Sequence, residues 1–367
     1  MMRVYFPISA DGLVRIALAG LGACMLLSAG LWLPGERGFP TLPLLGDAAA
    51  HTGRWYVVLF ALLCASMLMG FIRPQKKFLW RLPVLLLIMC ALDLNRLQPW
   101  TWFFILVIAI VATGTTSTHT ALRWLLAAVY IWGGANKLTP YFADENFRWF
   151  CEVFESTAFL GQYPALGYTV AVFEMILGVL LVLPHRKPFW GWLYVTFHSL
   201  IIISLLAAHW NYVVIPWNAA MSALAFFLFS PDDGKKRPNN AQAFLLLLAG
   251  FMPLAYYFNA WPYQLSWQLY TNTQPEAVFF SEQPCDKTGD VWQKKSFDDG
   301  RRLLVDDWSI EELGVPMFYS EHTFRQIGRY LCACSPDFYQ TRLILLYVDP
   351  WDKEAEHTTI YSCEELK

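Results

Sequence analysis

One lysine ends an apolar helical pattern at a position suited to acid–base chemistry. Lys137 follows Ala128–Asn136, which carries no charge, and Leu138–Pro140 then interrupts the helix. A lysine at the rim of a membrane span usually extends to the lipid headgroups. Alternatively, Gly133–Ala135 removes side-chain bulk one turn earlier, so a neighbouring helix can approach and hold the amine inside the bundle. A desolvated amine can act as a base near neutral pH, which makes Lys137 the first catalytic candidate.

Two more ionisable side chains lie within apolar segments. His198 is near the middle of one, where it either bonds to a neighbouring helix or exchanges a proton with a bound ring. It is the second catalytic candidate. Glu174 lies deep in another segment and is a natural ion-pair partner for Lys137 or Arg96. A pair with Lys137 would weaken the lysine as a base, and the sequence alone does not choose between the two partners.

A polar cluster follows another apolar segment, in the stretch Asp93–Trp100. In one interpretation, an ion pair between Asp93 and Arg96 caps the helix and locks the loop. In the other, the Arg96 guanidinium binds an anionic or carbonyl group of a substrate. The predicted substrate-binding residues are Asp93, Asn95, Arg96, Gln98, Trp100, Glu174 and His209.

Membrane helices must position these residues, because the composition is that of a polytopic membrane protein. Of the 367 residues, 56% are hydrophobic and only 15% are charged, and several uncharged runs are long enough to cross a bilayer. The expected partner is therefore the lipid bilayer. The net charge of −2, without a long basic tract, gives no support for nucleic-acid binding.

About nine membrane helices are predicted, of which the third and fourth are short. They are Leu13–Leu33, Trp55–Ile72, Phe78–Leu92, Trp100–Gly114, Thr120–Asn136, Pro164–Leu183, Pro188–Ala208, Tyr212–Ser230 and Ala241–Phe258. Basic residues cluster in alternate loops, at Arg73–Lys77, His185–Lys187 and Lys235–Arg237. Since cytoplasmic loops are enriched in Lys and Arg, we expect these loops and the N-terminus to be cytoplasmic. Lys137, Asp93 and His209 are then expected on the opposite face.

The composition changes near residue 271, where acidic residues and short apolar runs replace the long spans. Residues 1–270 are predicted to form an all-α membrane bundle and residues 271–367 a small extracytoplasmic α+β domain. Within that domain we predict strands at Ala277–Ser281, Arg302–Val305 and Leu343–Val348 and a helix at Ser320–Cys332. The location expected from this topology is a bacterial inner membrane with a periplasmic C-terminal domain.

Four cysteines in the C-terminal segment are the disulfide candidates, namely Cys285, Cys332, Cys334 and Cys363. An even number of cysteines in an oxidising compartment favours at least one disulfide, although spacing does not give the pairing. A Cys-x-Cys redox or metal pair is the alternative. No zinc, nucleotide or serine-hydrolase motif occurs in the sequence, and no metal site is predicted.

The lysine segment resembles a known family. Tyr130–Leu138, followed by Tyr141-Phe142, is similar to the segment that carries the catalytic lysine in vitamin K-dependent gamma-carboxylase and its bacterial relatives, the horizontally transferred transmembrane (HTTM) family. Phe197-His198 and Val213–Ser230 resemble later helices of that family. Asp93–Trp100 is similar to a motif of HTTM and DoxX-like membrane proteins. The resemblance covers roughly residues 93–270.

The resemblance implies that a lysine on the extracytoplasmic side deprotonates a reduced quinone, whose oxygenation then drives carboxylation of glutamate. Carried over by position, Lys137 matches the base and His198 a supporting histidine. The family's paired lysines are replaced by Asn136-Lys137, and its large substrate-binding lumenal domain is absent, since residues 271–367 look unrelated to it. Glutamate carboxylation is therefore in doubt even where quinone chemistry is retained.

Three functional hypotheses remain at this point. The first is a quinol-dependent oxidoreductase or carboxylase-like enzyme with Lys137 as the base. The second is a non-catalytic DoxX-like membrane subunit that anchors or matures a secreted or membrane protein through residues 271–367. The third is a transporter, which is less favoured because matching halves with broken helices are not evident.

Overall fold

The computed structural model describes residues 8–51, 53–183, 188–229, 236–283, 285–288, 290–292, 296–297, 301–333 and 341–366. The chain is mostly helical, with a small antiparallel sheet towards the C-terminus, as the sequence predicts. It forms two compact units. The helical unit comprises Met1–Cys24, Leu63–Val84 and Pro99–Asn272, and the sheet unit comprises Met25–Leu62, Leu85–Gln98 and Thr273–Lys367.

Helices occupy the predicted apolar segments. They are α1 (Ala10–Leu27), α2 (Ala29–Trp32), α3 (Arg54–Ile72), α4 (Lys76–Leu92), α5 (Pro99–Ala112), α6 (Thr118–Ala135), α7 (Phe147–Glu152), α8 (Pro164–Val182), α9 (Gly191–Ala207), α10 (Ile215–Leu228) and α11 (Asn240–Gly250). A 3₁₀ helix, Met252–Phe258, follows α11 closely. Proline starts α8, where its missing N–H costs no hydrogen bond, and a capping box of Asn239 and Gln242 starts α11.

Four helical segments of the described chain are long and apolar enough to cross a membrane: Ala10–Leu27, Arg54–Ile72, Pro164–Val182 and Asn240–Phe258. Three shorter apolar helices, Pro99–Ala112, Gly191–Ala207 and Tyr212–Leu228, fall below that length. The fourth predicted span, now α5, is buried on all sides from Trp100 to Ala112, which explains its continuous hydrophobicity. The predicted loop cluster His185–Lys187 and residue Lys235 lie outside the described residues.

The sheet unit contains a five-stranded antiparallel sheet of order β4-β5-β3-β6-β7. Its strands are β3 (Glu276–Phe280), β4 (Ser296–Phe297), β5 (Arg302–Leu304), β6 (Arg342–Asp349) and β7 (Asp352–Ser362). A separate two-stranded ribbon pairs β1 (Glu36–Thr41) with β2 (Ala49–His51). Two helices complete the unit, α12 (Val305–Leu313) and α13 (Glu321–Cys332), the latter started by a capping box of Ser320 and Thr323.

The three predicted strands and the predicted helix of the C-terminal segment have counterparts in β3, β5, β6 and α13. β7 was not predicted, because its first half is charged and lacks an apolar alternation. Residues 25–62 and 85–98 belong to the same compact unit as the C-terminal segment, which was not predicted either. The boundary at residue 270 between two functional domains stays a prediction.

Candidate functional site

Lys137 lies in the turn that ends α6 and forms a buried ion pair. Its Nζ donates to Glu174 Oε2 on α8 at 2.7 Å and to the backbone oxygen of Gly133 at 2.9 Å. Both ionic residues are only 6% exposed. The amine is thus held inside the helical unit, and of the two partners proposed for Glu174 it is Lys137 that pairs with it.

Glycines allow α6 and α8 to approach closely enough for this pair. A Cβ atom on Gly134 would clash with the Ala171 backbone oxygen, and one on Gly178 would lie 2.7 Å from that of Ala127. A Cβ atom on Gly133 would lie 2.7 Å from Glu174 Oε1. Small residues at such positions permit close helix contact, so the carboxylate reaches over the α6 backbone to the lysine.

A second polar chain crosses three helices of the same unit. The Tyr130 hydroxyl on α6 lies 2.6 Å from His198 Nε2 on α9, and His198 Nδ1 lies 2.9 Å from Asn218 Oδ1 on α10. Asn218 Nδ2 donates to the Val214 backbone oxygen at 2.9 Å, which fixes the orientation of the amide. Because Asn218 Oδ1 can only accept, His198 carries its proton on Nδ1 and accepts the Tyr130 hydroxyl at Nε2.

The residue before the lysine fixes the turn in place. Asn136 donates from Nδ2 to the Ser266 backbone oxygen at 2.8 Å and accepts the Tyr257 hydroxyl at 2.6 Å. It is buried, so these bonds satisfy an amide that would otherwise be costly to desolvate. The family resemblance places a lysine at this position, whereas here the position anchors the turn to the segment after α11.

The remaining predicted residues of the helical unit have simpler environments. His209 is exposed, adopts a left-handed backbone conformation with φ of 51°, and lies 2.8 Å through Nδ1 from the Tyr212 hydroxyl in its own turn. Trp100 is buried in the first turn of α5. Their assignment to substrate binding stays a prediction.

In the sheet unit, Asp93 lies between two guanidinium groups. Arg37 Nη2 donates to Asp93 Oδ2 at 2.6 Å, and Arg96 Nη2 lies 3.6 Å from the same oxygen. Burial alone would raise the pKa of Asp93, but the charges of Arg37 and Arg96 and the bond from the Leu42 backbone N–H outweigh it, so the pKa lies below its usual value. The carboxylate therefore stays ionised, and the predicted Asp93–Arg96 contact is part of a larger cluster.

Arg96 is fully buried and is used by the chain itself. Its Nε and Nη1 donate to the backbone oxygens of Leu31 and Met89, both at 3.0 Å, and its guanidinium lies 4.4 Å from the centre of the Tyr56 ring. This environment matches the loop-locking interpretation of the sequence more closely than an open anion site. Sequence reasoning missed Arg37 because it lies in a short strand far from residue 93, without a local signal.

Asn95 and Gln98 hold the segment between α12 and α13. Asn95 Oδ1 accepts from the Phe318 backbone N–H at 3.0 Å, and Gln98 Nε2 donates to the Pro316 backbone oxygen at 2.9 Å. Both side chains are buried. In this structure they bond to the backbone of their own unit, and their predicted contact with a substrate stays a prediction.

The expected disulfide in the C-terminal segment is confirmed. Cys332 at the end of α13 is bonded to Cys363, which follows β7. Cys285 is also disulfide-bonded, and Cys334 lies outside the described residues. Within the described part of the chain, no group of three or more His, Cys, Asp or Glu side chains is arranged to hold a metal ion.

Comparison of the chain with protein-family models, with curated proteins and with solved structures gave no match. The function is therefore argued from the two polar groups of the helical unit. Tyr130 and Asn218 were not among the predicted site residues. The signal for Tyr130 was its position seven residues before Lys137, a spacing of two helical turns within the predicted apolar helix. The signal for Asn218 was an amide within an apolar run.

Proposed function

We propose that the chain is a multi-pass membrane protein with an acid–base centre, Lys137 and Glu174, that acts on a reduced quinone. The observation that carries this proposal is the 2.7 Å ion pair between two residues that are each 6% exposed. A buried ion pair contributes little net stability, because desolvation of both charges offsets their attraction. Ionisable residues in the interior of a membrane bundle commonly mark a substrate or proton site.

The donor set suits a hydroxyl-bearing aromatic ring. A carboxylate can accept from a hydroxyl, an ammonium can donate to an oxygen, and the Phe142 ring centre lies 5.8 Å from Lys137 Nζ as an apolar neighbour. A reduced quinone supplies an acidic hydroxyl and two transferable electrons when bound. These chemical features agree with the cofactor that the family resemblance implies.

Within this proposal the base is the pair rather than the lysine alone. Lys137 Nζ is an ammonium that already donates to Glu174 and Gly133, so it offers no lone pair in this state. Glu174 Oε2 accepts the hydroxyl proton, and the Lys137 ammonium stabilises the negative charge left beside it. This division of roles revises the expectation of a free lysine base.

The finer topology belongs to the same proposal. About nine helices cross the membrane, the N-terminus is cytoplasmic, and the segment 271–367 is periplasmic in a bacterial inner membrane. The apolar helices and the alternation of basic loops support this arrangement. A disulfide in the sheet unit agrees with an oxidising compartment for that segment.

The experiment uses the full chain in lipid nanodiscs with menadiol as the reduced quinone and dioxygen as the oxidant. Appearance of menadione is followed by absorbance. Lys137→Met should reduce turnover to the rate of empty nanodiscs, whereas Lys77→Met, which removes an exposed lysine of α4, should retain it. Turnover by Lys137→Met at the wild-type rate would refute the proposal.

A non-catalytic membrane subunit is the second candidate, and one observation favours it. β7 is an edge strand of 11 residues on which Ile360 is exposed, and Trp351, in the turn that precedes the strand, is exposed as well. Exposed edges with apolar side chains can pair with a strand of another protein. A photo-crosslinking amino acid at position 360 should then capture one protein in cells, while the same group at exposed Ile310 on α12 should not. The same crosslinked proteins from both positions would contradict this function.

A further inference from the structure

Two successive leucines of the sheet unit are exposed at the tip of a short loop. The loop 42–48 joins β1 to β2, and the side chains of Leu44 and Leu45 are 52% and 86% exposed. Single exposed apolar residues are common on protein surfaces, but a contiguous exposed apolar patch marks a surface that contacts something other than water. Whether these leucines belong to such a patch depends on how the loop is held and on what adjoins it.

One face of α13 holds the loop on both sides of the leucines. Gln326 is fully buried, and its Nε2 donates to the backbone oxygens of Pro43 at 3.0 Å and of Gly46 at 2.7 Å. One turn further along the helix, Arg329 forms an ion pair with Asp47 at 3.4 Å. Gly46 has a φ of 100°, which residues with a side chain rarely adopt, so the chain turns there. The backbone is thus fixed, and the two leucines stay exposed instead of folding back onto the sheet unit.

The loop is also joined to the end of α4. The Leu44 backbone N–H donates to the Ala91 backbone oxygen at 2.8 Å, which is one of the carbonyls that a helix end leaves without a partner inside the helix. In the last two turns of α4, exposed apolar side chains are those of Leu87, Ile88 and Leu92. Ile88 and Leu92 are four residues apart and so lie on one side of the helix. The exposed leucines of the loop therefore adjoin an exposed apolar stripe of α4.

The start of α3 lies at the same end of the sheet unit. α3 is long and apolar enough to cross a membrane, and it begins three residues after the end of β2. The Arg96 guanidinium, which donates to the Met89 backbone oxygen of α4, lies 4.4 Å from the centre of the Tyr56 ring of α3. In the first turn of α3, Trp55 is 81% exposed and Val57 is exposed as well. Tryptophan is enriched where a membrane helix passes the lipid headgroups, so Trp55 marks the membrane surface.

We propose that Leu44 and Leu45 insert into the lipid bilayer that α3 crosses, so that the loop 42–48 attaches the sheet unit to the membrane surface. The argument for lipid is continuity, because the leucines, the α4 stripe and the first turn of α3 form exposed apolar surface of one compact unit. The Asp47–Arg329 ion pair beside the leucines suits the polar headgroup region. The proposal goes beyond the proposed function, since it concerns lipid contact and needs no quinone chemistry.

The experiment places a fluorescent label at residue 45 of the full chain in phosphatidylcholine nanodiscs. Among the free cysteines of the described chain only Cys64 is exposed, so Cys64→Ser provides the background in which Leu45→Cys is labelled with NBD. The label is quenched either by iodide in the water or by lipids that carry a doxyl group near the headgroup end of the acyl chain. Because the Leu45 side chain is mostly exposed, its substitution should leave the fold intact, and a melting curve checks this.

The matched control is Trp351→Cys in the same background. Trp351 is an apolar residue of the same unit and is 60% exposed, but it lies in the turn between β6 and β7, beside Asp349 and Asp352. A label there should meet water. Compared with this control, doxyl quenching at residue 45 should be at least about three times stronger and iodide quenching at least about three times weaker, as for a side chain below the headgroups. A label on Cys64 of the otherwise unchanged chain reports the quenching of a residue within α3.

Any other pattern overturns the proposal. Iodide quenching at residue 45 as strong as at residue 351 means that the leucines lie in water. Protection from both quenchers means that another protein, or a second copy of the chain, covers them. Menadiol turnover has no part in this measurement, so failure of the lipid contact and failure of the acid–base function are distinguishable.

Discussion

Removing one member of the Lys137–Glu174 pair should cost far more stability than removing both. At a separation of 2.7 Å the attraction is about 6 kcal/mol for an effective dielectric constant of about 20. Desolvation of two side chains that are 8% and 7% exposed offsets most of it. A single substitution loses the attraction but leaves the other charge desolvated, so Lys137→Met or Glu174→Met should lower the free energy of unfolding by about 3–5 kcal/mol.

The double variant Lys137→Met/Glu174→Met should be close to wild-type stability, because no buried charge is left and the apolar side chains fill similar volumes. The assay is denaturant unfolding of the purified full chain in detergent, followed by tryptophan fluorescence, for the wild type, both single variants and the double variant. If the losses of unfolding free energy in the two single variants are similar and add up in the double variant, the pair is not desolvated and the reasoning is refuted. Menadiol turnover of the stable double variant then separates chemistry from folding, since only an acid–base role is lost with both charges.

Three more predictions concern other parts of the chain. Cys332→Ser opens a loop of 31 residues closed by Cys363, and it should lower the free energy of unfolding of the sheet unit by about 3–4 kcal/mol, measured by denaturant titration with and without reductant. Asp306 has its pKa raised to about 7, first by burial, so its stabilising contribution is complete below pH 4 and is lost as the pH rises through 7. This loss should appear as a fall in melting temperature between pH 4 and pH 8, and Asp306→Asn should reduce the fall. We expect the difference to correspond to about 2–4 kcal/mol of unfolding free energy, because Asp306 keeps some contact with solvent. Gln242→Leu removes four side-chain hydrogen-bond contacts of a fully buried amide and should destabilise the helical unit by about 2–3 kcal/mol in the same unfolding assay, whereas exposed Gln283→Leu should change little.

The apolar helices were predictable because each one corresponds to a local run of apolar residues. α8 matches its prediction to within one residue, and the C-terminal helix α13 does so as well, since proline or a capping box marks their starts. The number of membrane crossings was harder to predict from the sequence. Length and hydropathy support four spans in the described chain, while α5 shows that a continuous apolar run also results from burial within protein.

The sheet unit was predictable only in part, because contacts between residues far apart in the sequence decide which segments belong to it. Arg37 and Asp93 are 56 residues apart, and Asn95 and Phe318 are 223 apart, so no local pattern connects them. The sequence did suggest that Asp93 and Arg96 could lock a loop. It could not indicate that the locked loop belongs to the same compact unit as residues 273–367.

In the candidate site, the sequence identified the charged residues but not their chemical states. Lys137 and Glu174 were recognisable as ions in apolar runs, and their pairing was one of two options. The state of His198 depends on an amide orientation that is fixed by a backbone oxygen one turn away, which sequence cannot supply. That orientation decides that Tyr130 donates to the imidazole. The Val214 backbone oxygen therefore determines which nitrogen of His198 carries the proton, and with it the direction of the Tyr130–His198 hydrogen bond.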